Sequence, residues 1–302
     1  MNRRDTLLVL LALSAAPVAA RAQAQSGVRR IGFLTPRSRP SPPARDTFFE
    51  AFAEGMRALG YVEGKNLVIE RRYADGTYAR LPALAAELAG LKVEVIVAYG
   101  TTAVQAAQAA SKTIPIVIAA AVDPVGSGLV AGLARPGGNT TGLSAIAVDL
   151  SPKHLEFLKA VMPQLARVAV LVNPGNSANA AVEKNVEGAA KGFGIGVIPV
   201  SARTPDEIGA AFASAARQKA GAMIVAGDAF FSEQGDLLAS TSAKHRIPTI
   251  SIYQAHVEAG CLMSYGQSVE DITAARRLSW TGFSRARSPR TYRSSSPPRS
   301  SC

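Results

Sequence analysis

Short apolar runs alternate with segments of helical spacing from residue 28 to residue 252 of this chain. Parallel strands need long crossover connections, usually helices, so the alternation predicts parallel sheets covered by helices on both faces. The fold class is therefore α/β. The predicted strands are 28–34, 66–73, 93–99, 114–121, 167–172, 197–200, 222–226 and 248–252. The predicted helices are 45–59, 78–88, 101–110, 151–161, 176–193, 204–218 and 233–245.

The second half of the chain repeats the plan of the first half, which predicts two similar parallel-sheet lobes with a cleft between them. Residues 28–143 form the first predicted lobe and residues 144–259 the second, and we expect residues 260–275 to return and complete the first. Glycine and proline crowd into residues 135–139, so the lobes are expected to meet at this turn-rich segment.

Two helix starts of the second lobe carry recognisable signals. Ser151 followed by Pro152 predicts a helix that opens with a serine cap and a first-turn proline. Thr204 followed by Pro205 predicts a second helix start of the same kind.

The first 22 residues are typical of a signal peptide. Arg3 and Arg4 precede an apolar run at residues 7–16 that is too short to span a bilayer, and small residues that suit a cleavage site follow. The paired arginines leave open whether export uses the general or the twin-arginine route. We expect a protein that is exported to the periplasm with residues 1–22 removed.

The net charge of +11 is unevenly distributed. Seven arginines and no acid lie in residues 272–302, and residues 1–22 contribute two more positive charges, which leaves about +2 for residues 23–271. A nearly neutral body gives no support for nucleic-acid binding. The two cysteines, Cys261 and Cys302, form no disulfide framework, and we expect Cys261 to be buried.

From residue 276 onward arginine, serine and proline dominate and the helical pattern stops. We interpret residues 276–302 as an aberrant, disordered tail produced by a shift of reading frame, because out-of-frame translation of a GC-rich gene gives this composition. A genuine basic tail that serves as an interaction segment is the alternative.

Polar residues follow the predicted strands at the places where open α/β sheets bind ligands, beyond the carboxyl ends of the strands. Each of them is also common as a cap or turn residue, so the case depends on their convergence on one cleft. The candidates are Thr35, Thr101, Thr102, Asp123, Asn173, Asn176, Asp228 and Tyr253. Thr101 and Thr102 open a helix, whose free amides suit an anion. His154, His245 and His256 lack metal-ligand spacing and are expected at the surface or in caps, so we predict no metal site.

Several stretches carry a family resemblance. Residues 114–142, which include Asp123-Pro124 and Arg135-Pro136-Gly137-Gly138-Asn139, together with Tyr99-Gly100-Thr101 and Gly227-Asp228, resemble the substrate-binding proteins of ABC transporters whose ligands include tryptophan and tyrosine. The resemblance covers about residues 28–275. This family's chain continues past residue 275 with a further helix and strand, which are missing or unrecognisable here.

The resemblance implies a type I periplasmic-binding-protein fold that closes on a small organic ligand, with amino acids among the candidates. It makes Thr101, Thr102, Asp123 and Asp228 the preferred ligand contacts, with Asp228 pairing with an amine and the helix start with a carboxylate. Tyr253 and Tyr265 are candidates for stacking on an aromatic ligand.

The implied partner is the membrane permease of an ABC transporter, and the protein is expected to be monomeric, without cofactor or catalytic residues. Two alternatives remain. An amino-acid racemase on paired lobes needs two cysteines in one cleft, and Cys261 and Cys302 do not provide them. A ligand-sensing component of a signalling or regulatory system could use the same fold, but the apparent signal peptide argues against a cytosolic regulator.

Overall fold

A computed structural model describes residues 28–41, 46–145 and 147–266. The predicted signal peptide, the segment 267–275 and the predicted aberrant tail lie outside these residues. No helix in the described part is long and apolar enough to cross a membrane.

The first lobe contains a five-stranded parallel sheet in the order β2-β1-β3-β4-β5. The strands are Arg29–Thr35 (β1), Leu67–Tyr73 (β2), Val95–Tyr99 (β3), Ile116–Val122 (β4) and Thr140–Ala145 (β5). The helices are Thr47–Ala58 (α1), Leu81–Gly90 (α2) and Thr101–Ala110 (α3), and a 3₁₀ turn spans Tyr78–Arg80. The winding direction changes between β1 and β3, and a crevice opens there beyond the carboxyl ends of the strands.

Helices cover both faces of the first sheet, as the continuous apolar strands predict. On one face Phe33 of β1 meets Phe49 and Phe52 of α1, with the Phe33 and Phe49 rings edge to face at 5.3 Å. On the other face Leu34 packs with Leu88 of α2 and residues of α3. β1 is therefore buried on both sides and holds the middle of the lobe in place.

The second lobe repeats this topology in a sheet ordered β10-β9-β8-β6-β7. The strands are Arg167–Val172 (β6), Gly196–Ser201 (β7), Ala222–Val225 (β8), Thr249–Ser251 (β9) and Met263–Ser264 (β10). The helices are Ala147–Val161 (α4), Asn179–Phe193 (α5), Pro205–Arg217 (α6), Gly235–His245 (α7) and Gln254–Glu258 (α8), with a 3₁₀ turn at Phe231–Glu233. The change of winding falls between β6 and β8, the counterpart of β1 and β3. The prediction of two similar parallel-sheet lobes is confirmed.

Two apolar clusters cover the faces of the second sheet. Val168 and Val170 of β6 pack with Leu158 of α4 and residues of α5 on one side. Leu171 and Phe212 belong to the cluster on the other side, where α6 and α7 lie and where Cys261 is buried as predicted. Thr204 caps α6 by accepting a hydrogen bond from Glu207 N at 3.4 Å, which confirms that predicted helix start.

The start of α4 corrects a prediction. Ser151 and Pro152 do not open this helix but lie inside it, because α4 begins at Ala147. Pro152 has no N–H to donate to the Val148 carbonyl oxygen. That oxygen accepts instead from Ser151 Oγ at 2.7 Å and from Asn185 Nδ2 at 3.2 Å, so the proline is tolerated.

Two connections between the lobes also differ from the prediction. Residues 135–139 are not the joint, because the chain continues into β5, which pairs with β4, before it enters the second lobe. Residues 263–264 pair with β9 of the second sheet rather than with the first lobe. The rest of the predicted return, residues 267–275, lies outside the described residues.

Candidate functional site

A cleft of about 700 Å³, counting the space at its mouth, lies between the carboxyl ends of the two sheets. Its lining is mostly apolar with a few polar groups, which is typical of sites for small organic ligands. Both lobes contribute to its walls. The lining residues are Phe48, Tyr99, Gly100, Thr101, Ala120, Ala121, Val122, Ala145, Ala147, Leu150, Asn176, Asp228, Ala229, Ile252 and Tyr253.

Most of the cleft wall is apolar or aromatic. Phe48 of α1 and Tyr99 at the end of β3 meet edge to face at 4.2 Å between ring centroids. Leu150 of α4 and Ile252 after β9 supply aliphatic surface from the second lobe. Such a wall gains free energy by covering the apolar part of a ligand.

The first turn of α3 presents backbone amides at the cleft. Gly100 has a φ of +86°, a conformation that favours glycine, and its N–H donates to the Ala120 carbonyl oxygen at 2.7 Å. The Thr101 hydroxyl donates to Val122 O at 3.1 Å and accepts from Val122 N at 3.2 Å. Thr101 therefore anchors the helix start to β4 with its side chain, and its amide and that of Thr102 precede the first helical hydrogen bond.

Asp228 is the acidic residue among the cleft-lining positions, and it is buried. Oδ1 accepts from Tyr78 Oη at 2.7 Å, from Asn173 Nδ2 at 3.0 Å and from Phe230 N at 3.0 Å, whereas Oδ2 accepts from Asn176 Nδ2 at 2.8 Å. Burial raises the pKa of Asp228, and the hydrogen bonds from these donors oppose the rise. The arrangement places a carboxylate with remaining acceptor capacity at Oδ2 beside an apolar cavity.

The phenol of Tyr253 forms hydrogen bonds with both backbone groups of Asp228. Its hydroxyl donates to Asp228 O at 2.8 Å and accepts from Asp228 N at 2.9 Å. Burial raises the pKa of Tyr253 well above its usual range, so the phenol stays neutral at physiological pH. Tyr253 thus holds the Asp228 backbone and offers its ring to the cleft.

Four of the predicted ligand residues line the cleft: Thr101, Asn176, Asp228 and Tyr253. Asn173 lies directly behind them, where it donates to Asp228 Oδ1. Asn173, Asn176 and Asp228 follow β6 and β8, which flank the change of winding in the second lobe. Thr101 follows β3, which flanks the change of winding in the first lobe, and Tyr253 follows β9.

The other predicted residues do not line the cleft. Thr35 is buried at the end of β1, where its hydroxyl accepts from Arg37 N at 3.2 Å. Asp123 accepts from Gly126 N at 2.8 Å and so caps its own turn. Tyr265 lies beside the edge strand β10, and its ring packs on Phe157 at 4.8 Å. Thr102 is in the first turn of α3, outside the residues that line the cleft.

The histidine prediction is wrong in two of three cases. His154 and His256 are buried, with Nε2 at 2.7 Å from Tyr265 O and 2.9 Å from Phe231 O, respectively. Burial lowers the pKa of both rings. His154 links α4 to the segment after β10, and His256 links α8 to the 3₁₀ turn at Phe231–Glu233. The sequence does not show these contacts, because the carbonyl groups lie on distant parts of the chain.

No pattern in the sequence indicated the apolar wall of the cleft or the role of Tyr78. Phe48, Tyr99, Leu150 and Ile252 have the spacing of ordinary core residues. Tyr78 lies on the 3₁₀ turn after β2, far along the chain from Asp228, whose carboxylate it meets.

The two lobes touch each other beside the cleft. Arg37 Nε donates to Glu233 Oε1 at 3.0 Å, and Ser38 N donates to Glu233 Oε2 at 3.0 Å. Gln105 Nε2 donates to Ser177 Oγ at 2.9 Å. Together with the bond from Tyr78 to Asp228, these contacts define a closed arrangement of the lobes.

A family model described as ABC transporter substrate binding protein matches residues 40–276. Among individual proteins, a tyrosine-binding protein of Clostridioides difficile (strain R20291) is 27% identical over 231 residues, which are 76% of this chain. The match spans 66% of that relative's length, slightly less than two thirds.

Solved structures show the same fold. A conserved domain protein of Vibrio cholerae is 25% identical, with a TM-score of 0.79 and 88% of each chain covered. The ABC domain of a Streptococcus pneumoniae protein in complex with L-Trp is 22% identical, with a TM-score of 0.79 and 89% of each chain covered. A ligand-free, open substrate binding protein of Clostridium difficile, 25% identical, gives a TM-score of 0.58 over 89% of this chain and 90% of that chain.

Proposed function

Since the chain belongs to the family of ABC transporter substrate binding proteins, we propose that it closes its lobes outside the cytoplasm on an amino acid and delivers it to a membrane permease. Closure follows from the position of the cleft, because only the closed arrangement contacts a ligand from both lobes. The protein acts by binding, and the ligand leaves chemically unchanged.

The observation that carries the proposal is the closeness of two opposite recognition groups from different lobes. A methyl group placed on Gly100 would lie 3.6 Å from Ala229 Cβ, so the first turn of α3 faces the residue next to Asp228. Backbone amides at a helix start suit a carboxylate, and the Asp228 carboxylate suits an ammonium group. An α-amino acid carries these two charges on neighbouring atoms.

The apolar wall indicates which amino acids fit. Phe48, Tyr99, Leu150 and Ile252 surround the space next to the two recognition groups and favour a large apolar or aromatic side chain. The name of the Clostridioides difficile relative and the L-Trp complex of the Streptococcus pneumoniae protein support aromatic amino acids as the first ligands to test.

A thermal-shift screen tests the proposal. L-Tyrosine, L-tryptophan and L-phenylalanine are compared with tyramine, which lacks the carboxylate, and with 3-(4-hydroxyphenyl)propionate, which lacks the amine. A true ligand stabilises the folded protein by about 2.7 kcal/mol at a hundredfold excess over Kd. We expect at least one amino acid to do so, both truncated analogues to bind more weakly than L-tyrosine, and the ligand to be recovered intact.

Two results would contradict the proposal. If no amino acid raises the melting temperature of well-folded protein, the ligand class is wrong. If tyramine stabilises the protein as well as L-tyrosine does, the assigned recognition of the carboxylate is wrong, and if the propionate does so, the assigned recognition of the amine is wrong.

A further inference from the structure

Tyr78 forms both hydrogen bonds and apolar contacts between the two lobes. It belongs to the first lobe, on the 3₁₀ turn after β2, yet its hydroxyl donates to Asp228 Oδ1 at 2.7 Å and accepts from Phe230 N at 3.1 Å in the second. Its ring packs against an apolar cluster of each lobe. Tyr78 is not among the residues that line the cleft.

The two oxygens of Asp228 have different surroundings. Oδ1 receives three hydrogen bonds, one of which crosses between the lobes from Tyr78. Oδ2 receives one, from Asn176, and keeps capacity for a further donor. The Asp228 carboxylate therefore faces the cleft through Oδ2 and is bound by Tyr78 of the first lobe through Oδ1.

The second lobe is shaped to receive the Tyr78 ring. A methyl group on Gly175 would lie 3.2 Å from Tyr78 Cδ2 and 3.1 Å from Asn173 Oδ1. Gly175 N donates to Asn173 Oδ1 at 2.9 Å, which fixes the turn that carries Asn173 and Asn176. The absence of a side chain at Gly175 lets the ring lie against this turn.

We propose that Tyr78 is a positioning residue that couples closure of the lobes to Asp228, the carboxylate offered to the ligand. When the lobes part, Asp228 Oδ1 loses one donor and Phe230 N loses one acceptor, and closure restores both bonds at once. Tyr78 acts on the ligand only through Asp228. The proposal has two halves. The closure half, that Tyr78 stabilises the closed arrangement through Asp228 and Phe230, does not depend on the proposed function. The ligand half, that Tyr78 thereby affects ligand binding, rests on the proposed function.

Hydrogen exchange at the Phe230 amide tests the closure half in ligand-free protein. Tyr78→Phe keeps the ring and removes the hydroxyl, so the closed arrangement loses the bond from Tyr78 to Asp228 while the Phe230 amide keeps its bond to Asp228 Oδ1. Opening of the lobes should become more frequent, and the Phe230 amide should exchange about fivefold faster or more, which corresponds to the loss of one ordinary hydrogen bond between the lobes. The matched control is Tyr73→Phe, because the Tyr73 hydroxyl donates to Asp46 Oδ2 at 2.9 Å within the first lobe. The control should leave exchange at Phe230 unchanged.

A second variant allows the same test if Tyr78→Phe does not fold. Gly175→Ala retains the Tyr78 hydroxyl but pushes on its ring, so it should also speed exchange at Phe230, with an unchanged circular dichroism spectrum. Equal exchange at Phe230 in the wild type and in whichever of these two variants folds would overturn the proposal. An equal acceleration in Tyr73→Phe would also overturn it, since a general loosening would then explain the effect.

Titration with L-tyrosine and with 3-(4-hydroxyphenyl)propionate tests the ligand half. Tyr78→Phe should weaken binding of L-tyrosine about fivefold, Tyr73→Phe less than twofold, and the loss should shrink for the propionate, which has no amine for Asp228. Unchanged affinity for L-tyrosine in Tyr78→Phe would overturn the coupling to the ligand. Faster exchange at Phe230 without any binding of L-tyrosine by the wild type would support the closure role and contradict the amino-acid ligand.

Discussion

At the scale of single residues, the burial of Asp228 is made tolerable by its hydrogen bonds. An unpaired carboxylate in such a place would be neutralised, because burial disfavours the charged form. Donors from Tyr78, Asn173, Asn176 and Phe230 offset that penalty. Removal of the whole side chain would leave these donors without an acceptor, so an isosteric change is the better probe.

Asp228→Asn should selectively weaken the binding of amine-bearing ligands. The change keeps the shape of the side chain and removes its charge, and the loss of a desolvated charge pair costs about 2–5 kcal/mol of binding free energy. Calorimetric titration with L-tyrosine and with its analogue lacking the amine measures the difference. Asp123→Asn is the control, because Asp123 caps a turn outside the cleft wall and should leave affinity unchanged. Equal losses in both variants would remove Asp228 from the site.

At the scale of elements, the periodicity of apolar residues in the sequence was sufficient to predict the regular strands and helices. Every predicted strand overlaps an observed one. The inner strands are buried on both faces and are therefore continuous apolar runs, which are easily recognised. β5 was missed because it contains threonine, glycine and serine, and its position is set by pairing with β4. The start of α4 was misplaced because the polar partners that allow Pro152 inside it are contributed by tertiary structure.

The buried histidines predict that stability depends on pH. His154 and His256 each have Nδ1 buried without a hydrogen-bond partner, and burial lowers the pKa of both rings. The unfolded chain therefore binds protons first, and the free energy of unfolding should fall as pH falls below about 6.5, by at most about 1.4 kcal/mol per pH unit for each ring. Urea unfolding between pH 8 and pH 5 measures this slope.

His154→Gln should reduce the slope, since glutamine can donate to Tyr265 O without titrating. His245→Gln is the control because His245 is only half-buried at the end of α7. An unchanged slope in His154→Gln, or an equal reduction in His245→Gln, would assign the pH dependence to other groups.

At the scale of the whole molecule, the contacts between the lobes decide whether the cleft is complete. The sequence predicted two lobes and the strand ends that face the cleft, but it could not pair Tyr78 with Asp228 or Arg37 with Glu233. Tyr78 and Asp228 are 150 positions apart in the sequence, and Arg37 and Glu233 are 196 positions apart. Their meeting depends on the angle between the two lobes, which no local pattern encodes.

Glu233→Gln should loosen the closed arrangement slightly. Arg37 and Glu233 are 25% and 17% exposed, so solvent screens their attraction and the expected loss of ligand affinity is about 0.2–1 kcal/mol. Titration at low and high salt should show that the variant has lost part of the salt dependence of the wild type. Glu87→Gln, which breaks the pair with Arg72 inside the first lobe, should not affect affinity at either salt concentration. A matching effect of both variants would exclude a specific role for Glu233.

The bonds that Thr101 forms with β4 occupy its hydroxyl, so the amides at the start of α3 are what remains for a carboxylate. Every residue other than proline supplies such an amide, so the proposed carboxylate site tolerates most side-chain replacements, whereas the proposed amine site depends on the Asp228 side chain. In the proposed function, selectivity among ligand side chains is left to the surrounding wall, which includes Phe48, Leu150 and Ile252. Under the proposed function, redesign of this protein as a sensor for a new amino acid can thus be confined to a few apolar positions, with the amides of α3 and the Asp228 carboxylate left unchanged.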